Sequence, residues 1–265
     1  MIQGPVLVTG ASRGIGRAVA AALAERKVET IGTLRDPGAV ADRIPGVRYL
    51  PLRLEDPKSI DDCLREAGPI EALVNNAGQS QLGAFEDTPV EAVEELFAMN
   101  VFGLLRLTRA VLPAMRERGR GTIVNIGSLT GMFPPPFQSG YAATKLALEA
   151  FTKSLRQETR GFGIRVTLIV PGYIRTRIGV DSREFAPQTS AYTSEFRQFR
   201  GQRLKKLEEA VPPEAAAQTI LRAMESRNPK PIYYTGKNVP LIAFLKRMLS
   251  ERKALKIIRN FYRLS

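Results

Sequence analysis

The fold class predicted by this sequence is α/β: one doubly wound domain over residues 1–265, with a parallel sheet of about seven strands, helices on both faces and a C-terminal helical extension. Three observations predict it. Short runs rich in Val, Ile and Leu alternate with longer segments of helical period. Those runs are apolar throughout, as strands covered on both faces are, and a glycine-rich turn separates the first run from the first helical segment. Residues 5–9 read as the first strand and 14–26 as the first helix, its Ala and Val residues recurring at three and four. Strands at 28–33 and 47–52, a helix over 57–66 and a strand at 72–74 continue the alternation. A helix then runs over 90–118 with a shift near Asn100, followed by a strand at 122–126, a helix over 141–160 and a strand at 165–170. Beyond residue 170 the rhythm breaks. The stretch 173–210 mixes Gly, Pro, Ser, Thr, aromatic and charged residues without a strong period, and reads as an irregular lid. A helix resumes over 212–226, with Pro213 in its first turn, and 231–234 reads as a last strand.

The chain carries 39 Lys+Arg against 26 Asp+Glu, a formal net charge of +13, with no His and one Cys. The missing imidazole excludes Ser-His-Asp and Cys-His nucleophiles, His general bases and His-ligated zinc. Cys63 alone can close no internal disulfide and build no thiolate cluster, so no metal site is expected and a reducing cytoplasm is the expected compartment. The charge admits nucleic acid, an anionic membrane surface or an anionic ligand. No zinc finger, basic zipper or RNA-binding aromatic motif accompanies it, which argues against nucleic acid. No apolar run approaches the roughly 20 residues that span a bilayer, and the N-terminal stretch lacks the pattern of a secretory signal.

Two motifs carry chemistry. The first is Thr9-Gly10-Ala11-Ser12-Arg13-Gly14-Ile15-Gly16, where glycines allow a tight turn and close approach of backbone N–H groups to a pyrophosphate at a helix N-terminus. The second is Tyr141-Ala142-Ala143-Thr144-Lys145, with Ser128 upstream. Residues four apart share a helix face, so a phenol and an ammonium enter one cleft, and a nearby cation favours the ionised phenol. This is acid/base chemistry without histidine. Either motif alone is compatible with a plain turn or plain packing; together they point to one site.

With these motifs in order, the sequence resembles the short-chain dehydrogenase/reductase family over nearly its whole length. The matching elements are the 9–16 turn, Asn75-Asn76-Ala77-Gly78, Asn100 in Met99-Asn100-Val101-Phe102-Gly103, Ser128, Tyr141 with Lys145, and Pro171-Gly172 followed by Thr176. The resemblance implies a Rossmann domain and a catalytic tetrad of Asn100, Ser128, Tyr141 and Lys145. It implies a nicotinamide cofactor on Gly10, Ser12, Arg13, Gly14, Ile15, Gly16, Arg35, Asn76, Ala77, Gly78, Tyr141, Lys145, Pro171, Gly172, Ile174 and Thr176. In the implied roles, Ser128 and Tyr141 hydrogen-bond the substrate oxygen, Tyr141 delivers the proton, Lys145 holds the nicotinamide ribose, and Asn100 anchors a water that relays protons. Arg13 and Arg35 favour the 2′-phosphate of NADP(H) over NAD(H), although Asp36 could instead meet the ribose. Arg53 stands where relatives carry an adenine-contacting Asp; it either stacks on the ring or yields that place to Glu55.

The pattern around Phe102-Gly103, Gly127-Ser128 and the 134–136 prolines is similar to the hydroxysteroid and retinol dehydrogenase branch. That implies interconversion of ketone or aldehyde and alcohol on a steroid-like, retinoid-like or long-chain substrate. Met132, Phe133, Phe137, Ile174, Ile178, Phe185, Tyr192, Phe196 and Phe199 offer an apolar pocket, or merely pack the lid. The alternative to an enzyme is a catalytically silent NADP(H)-binding sensor. In the extension, 239–265, Leu241, Phe244, Leu245, Met248 and Leu249 recur at helical spacing. Further on, Ala254, Ile257, Ile258 and Phe261 oppose Arg252, Lys256, Arg259 and Arg263; this face lies on an anionic membrane or packs on protein. The resemblance also implies a homodimer or homotetramer.

Overall fold

The computed structural model describes residues 2, 4–40, 42–246 and 248–264, so Arg247 and Ser265 of the predicted extension lie outside the described residues. In chain order the elements are β1 (Val6–Thr9), α1 (Gly14–Glu25), β2 (Thr30–Leu34), β3 (Val47–Pro51), α2 (Pro57–Ala67), β4 (Ala72–Asn75), β5 (Gln81–Gly83) and α3 (Val90–Phe97). A π-helical turn, Ala98–Gly103, leads into α4 (Leu104–Glu117), β6 (Gly121–Ile126), α5 (Leu129–Met132), α6 (Ser139–Thr159), β7 (Ile164–Pro171) and β8 (Arg183–Phe185). The chain ends with α7 (Thr193–Glu208), α8 (Pro213–Glu225), β9 (Ile232–Thr235), α9 (Val239–Lys246) and α10 (Glu251–Phe261).

Seven strands form one parallel sheet in the order β3-β2-β1-β4-β6-β7-β9. The alternation of side chains along β1 sends Val6 and Val8 to the face covered by α1 and α8, where Val19, Leu23, Ile220 and Met224 are buried. Leu7 points to the other face, against α2, α4 and α6 through Ile60, Leu107, Val111 and Leu155. The strand order reverses between β1 and β4, and loops at the carboxyl ends there frame the crevice in which such sheets bind ligands. The helical stretch Val90–Glu117 is long and apolar enough to cross a membrane by length and composition. Here Leu96, Leu104, Leu107, Val111 and Met115 are buried inside the protein.

The predicted class and strand count hold, with end shifts of one or two residues. The lid departs from expectation. Residues 173–210 are not irregular: they contain β8, which pairs in parallel with β5, and the sixteen-residue α7. Polar residues surround α7, and its inward side is narrow: Phe196, Phe199, Arg203 and Leu207. An arginine in that row conceals the apolar stripe from a hydrophobic-period reading. Phe196 and Phe199 pack with Leu82, Ile258, Tyr262 and Leu264, so the C-terminal helix α10 closes onto the lid. The extension therefore packs on protein with Ala254, Ile258 and Tyr262, while Leu241, Phe244, Leu245 and Met248 remain exposed.

Candidate active site

The glycine turn follows β1 directly. Gly10 and Gly14 adopt φ of +68° and +56°, a region costly for any residue with a Cβ. Thr9 Oγ1 accepts hydrogen bonds from the backbone N–H of Asn76 and of Ala77, each at 2.9 Å, and Asn76 Nδ2 donates to the carbonyls of Thr9 and Gly10. Asn76 thus fastens the turn to the end of β4. The Arg13 side chain makes no capping bond at the start of α1, which leaves the first backbone N–H groups facing the crevice. Thr176 reaches the turn from the opposite wall, close enough that a Cβ on Gly14 would lie 3.1 Å from its methyl group.

A cavity of about 1210 Å³ runs from this turn past the ends of β4, β6 and β7 to α9 and α10. Every residue predicted to hold the cofactor lines it, from Gly10, Ser12, Arg13, Gly14 and Ile15 through Arg35, Asn76, Ala77 and Gly78 to Pro171, Gly172, Ile174 and Thr176, with one exception. Gly16 lies behind the wall, where an added Cβ would meet the Gly10 carbonyl at 2.3 Å, so its part is close packing of α1 on the turn. Arg35 Nη2 is 3.8 Å from Glu55, Arg13 pairs with Asp181 at 2.6 Å, and Asp36 accepts from the Gly38 N–H and caps the turn after β2. Leu52, Leu54 and Glu55 line the cavity, whereas Arg53 lines an adjoining small pocket with Lys58, Asp62 and Cys63.

Ser128 caps α5 by accepting from the Thr130 N–H, and Tyr141 and Lys145 project from the first turns of α6. Lys145 is buried; its Nζ donates to the Ile126 carbonyl at 2.9 Å and lies 5.7 Å from the centre of the Tyr141 ring. Burial lowers its pKa to about 8. Burial also raises the Tyr141 pKa above that of a free phenol, opposed by a hydrogen bond from Ser128 and by the charge of Arg203. Desolvation is the first cause of the shift in both groups, and for the phenol it acts against the acidification expected from Lys145. The cation that counters it is Arg203, which no sequence motif marks.

Asn100 does not line the cavity. It is buried in the π-helical turn, where Oδ1 accepts from the Gln79 N–H and Nδ2 donates to the Gln79 carbonyl, both at 2.9 Å. Its side chain fixes the loop after β4, and Oδ1, which accepts one bond, keeps a second lone pair. Beneath the site, Asn75 Nδ2 donates to Thr108 and Asn125, and Asn125 Nδ2 donates to Thr152, tying β4 and β6 to α4 and α6 through a satisfied buried network.

Of the predicted apolar pocket, Phe133, Ile174 and Ile178 line the cavity, whereas Met132, Phe137, Phe185, Tyr192, Phe196 and Phe199 do not. Further apolar wall comes from the C-terminal helices, through Ile242, Ile257, Ile258 and Phe261, and from Leu129, Pro135 and Leu207. Ile257 and Phe261 were assigned by periodicity to a membrane or protein face, and nothing local marks them as pocket residues.

Fold and site together define an oxidoreductase of Rossmann architecture. Residues 5–186 match the family described as short chain dehydrogenase. The chain is 31% identical to the 3-ketodihydrosphingosine reductase of Bacteroides thetaiotaomicron, over 97% of each chain. It superposes on a short-chain dehydrogenase from Streptomyces avermitilis with a TM-score of 0.81 at 34% identity, covering 98% of this chain and 97% of that one. A short chain dehydrogenase from Burkholderia cenocepacia in complex with NADP aligns with a TM-score of 0.77 at 25% identity over 96% of each chain. The chain belongs to the short-chain dehydrogenase family.

Proposed function

We propose that this protein is an NADP(H)-dependent carbonyl reductase or alcohol dehydrogenase acting on a lipophilic ketone or aldehyde and the corresponding alcohol. One observation carries the reading. A single cavity joins an open helix N-terminus at the glycine turn, a phenol–hydroxyl–ammonium group at its middle, and apolar walls from Phe133, Ile257 and Phe261 at its far end. The residues fit a dinucleotide: the turn admits backbone approach, and Thr33 and Ser80 line the cavity with buried hydroxyl oxygens that have no hydrogen-bond partner. Arg13 and Arg35 line the adenosine end, and Asp36 is engaged in its own turn, which supports NADP(H) over NAD(H). The similarity to a ketodihydrosphingosine reductase and to an NADP complex supports both cofactor and substrate class.

NADPH, when bound, supplies the hydride that turns the carbonyl carbon into a carbinol carbon. Ser128 and Tyr141 donate hydrogen bonds to the substrate oxygen, where negative charge develops. Tyr141 Oη gives up its proton to that oxygen, and its raised pKa keeps the proton in place until then. Lys145 supplies positive charge below the ring, and Asn100 positions the Gln79 loop and, through Thr144, the helix bearing both residues. Exposed Phe102 and Leu146, on the π-helical turn and α6, suit the interface of a homodimer or homotetramer.

The test is NADPH and NADH oxidation with ketosteroids, retinal and long-chain ketones, by the parent and Tyr141→Phe. The expected outcome is turnover preferring NADPH and a fall of about 100-fold or more in kcat for the variant, with NADPH binding retained. A parent that binds NADPH but reduces none of these carbonyls would leave the silent-sensor reading in place.

A further inference from the structure

Arg203 is 6% exposed, lines the cavity, and pairs with no carboxylate among the described residues. The acid of its neighbourhood, Glu184, is taken by Arg200 at 2.7 Å. Its guanidinium donates to the Gly179 carbonyl and, at 3.4 Å, to Ser182 Oγ. A guanidinium has five N–H donors, so several remain after these two bonds. An arginine in this position carries a desolvation cost, which an arginine normally offsets with a carboxylate or phosphate.

The surroundings supply a second donor. Tyr173 and Tyr262 both line the cavity and share one hydrogen bond, Oη to Oη, at 2.6 Å. Two phenols carry two protons and this contact uses one, which leaves the accepting phenol a free O–H. Tyr141, Tyr173 and Tyr262 all lie within electrostatic reach of the guanidinium. Arg203, without a carboxylate partner, and one free phenol O–H therefore line the same cavity as the reacting phenol, whose wall includes the apolar Ile257, Ile258 and Phe261.

We infer that Arg203, with the Tyr173–Tyr262 pair, binds a carboxylate of the substrate, so that the substrate is an apolar oxo or hydroxy acid whose carbonyl or carbinol carbon meets Tyr141. The match is of charge and shape. The Arg203 charge, without a carboxylate partner among the described residues, is neutralised by a substrate carboxylate. A carboxylate has two oxygens, which suits a site lined by both a guanidinium and a phenol O–H. The inference rests on the reductase reading for its substrate chemistry, but the carboxylate site stands or falls by binding alone.

Two measurements on the full chain test it. Calorimetric titration compares decanoate with methyl decanoate; steady-state assays compare 3-, 5- and 7-oxodecanoate with their methyl esters. Both are run on the parent, Arg203→Gln, which keeps a donor for the Gly179 carbonyl without the charge, and Arg203→Lys. The expected results are binding of decanoate in preference to its ester and a kcat/KM for at least one oxo acid about tenfold or more above its ester. Arg203→Gln lowers decanoate affinity by about 30-fold or more and collapses the acid-to-ester ratio through KM, and Arg203→Lys restores part of both. Equal binding of acid and ester by the parent overturns the inference, as does an Arg203→Gln effect that is the same for both, the signature of an arginine that merely pins the lid. Decanoate binding that depends on Arg203, without turnover of any carbonyl, upholds the inference and defeats the reductase reading. Turnover without acid preference does the reverse.

Discussion

Lys145 is the residue at which burial and charge are in sharpest conflict. Its folded pKa of about 8 lies below the value of 10.5 for a free lysine, so between those pH values the unfolded chain binds more protons than the folded one. Stability therefore rises with pH across that window, and the penalty is fully present below pH 8. The difference between 10.5 and about 8 corresponds to about 3 kcal/mol. Denaturant melts of the parent and Lys145→Met from pH 7 to 10.5 should show a component of that size in the parent and not in the variant; parallel curves would contradict the assignment. The same desolvation raises the Tyr141 pKa, so burial disfavours the charged form of both members of the pair. The sequence showed the two residues on one helix face, and that survives. It could not show the sign of the perturbation, because desolvation depends on what covers α6, and part of that cover, including Arg203, lies in a segment that sequence reading left without structure.

At the scale of elements, the π-helical turn Ala98–Gly103 is the joint between α3 and α4, and the shift near Asn100 in the apolar period was its trace. The extra residue per turn places Asn100 inward, where its amide closes a two-bond bridge to Gln79. Replacing it with alanine leaves a backbone N–H and a carbonyl without partners at the start of the loop toward the lid. Asn100→Ala should lose about 2–4 kcal/mol of stability by thermal or denaturant melting, with kcat falling as the loop loosens. A variant as stable as the parent would mean that Gln79 finds other partners. Elements with strong local signals, the strands of the sheet and the helices against it, were legible because their apolar period is complete. The lid helix α7 and the pocket wall from α10 were not, because each takes its order from the other. Phe196, Phe199, Ile258 and Tyr262 form one cluster joining segments some sixty residues apart, and no local period encodes such a contact.

On the scale of the whole molecule, charge and apolar surface are gathered at one end. Residues 227–265 contain ten Lys and Arg against the single acid Glu251, which accounts for +9 of the +13. Lys246, Arg252, Lys253, Lys256, Arg259 and Arg263 lie on or beside helices that also expose Leu241, Phe244, Leu245 and Met248. Through Ile242, Ile257 and Phe261 the same helices wall the cavity. The face that the sequence offered to a membrane has thus divided: Ala254 and Ile258 of α10 are buried, and the apolar surface left over is that of α9 and Met248 together with Leu255, Ile257 and Phe261 of α10. Basic charge beside exposed apolar side chains suits an anionic bilayer, which would bring a lipophilic substrate to the cavity from the lipid side. Co-sedimentation with vesicles of phosphatidylserine and phosphatidylcholine, and of phosphatidylcholine alone, tests this on the parent and the triple variant Leu241→Ser, Phe244→Ser, Met248→Ser. The parent should bind the anionic vesicles, less at high salt, and the variant about tenfold more weakly. Equal sedimentation of parent and variant removes the bilayer contact; a variant that sediments less but also changes oligomeric state by light scattering assigns the face to a second subunit instead.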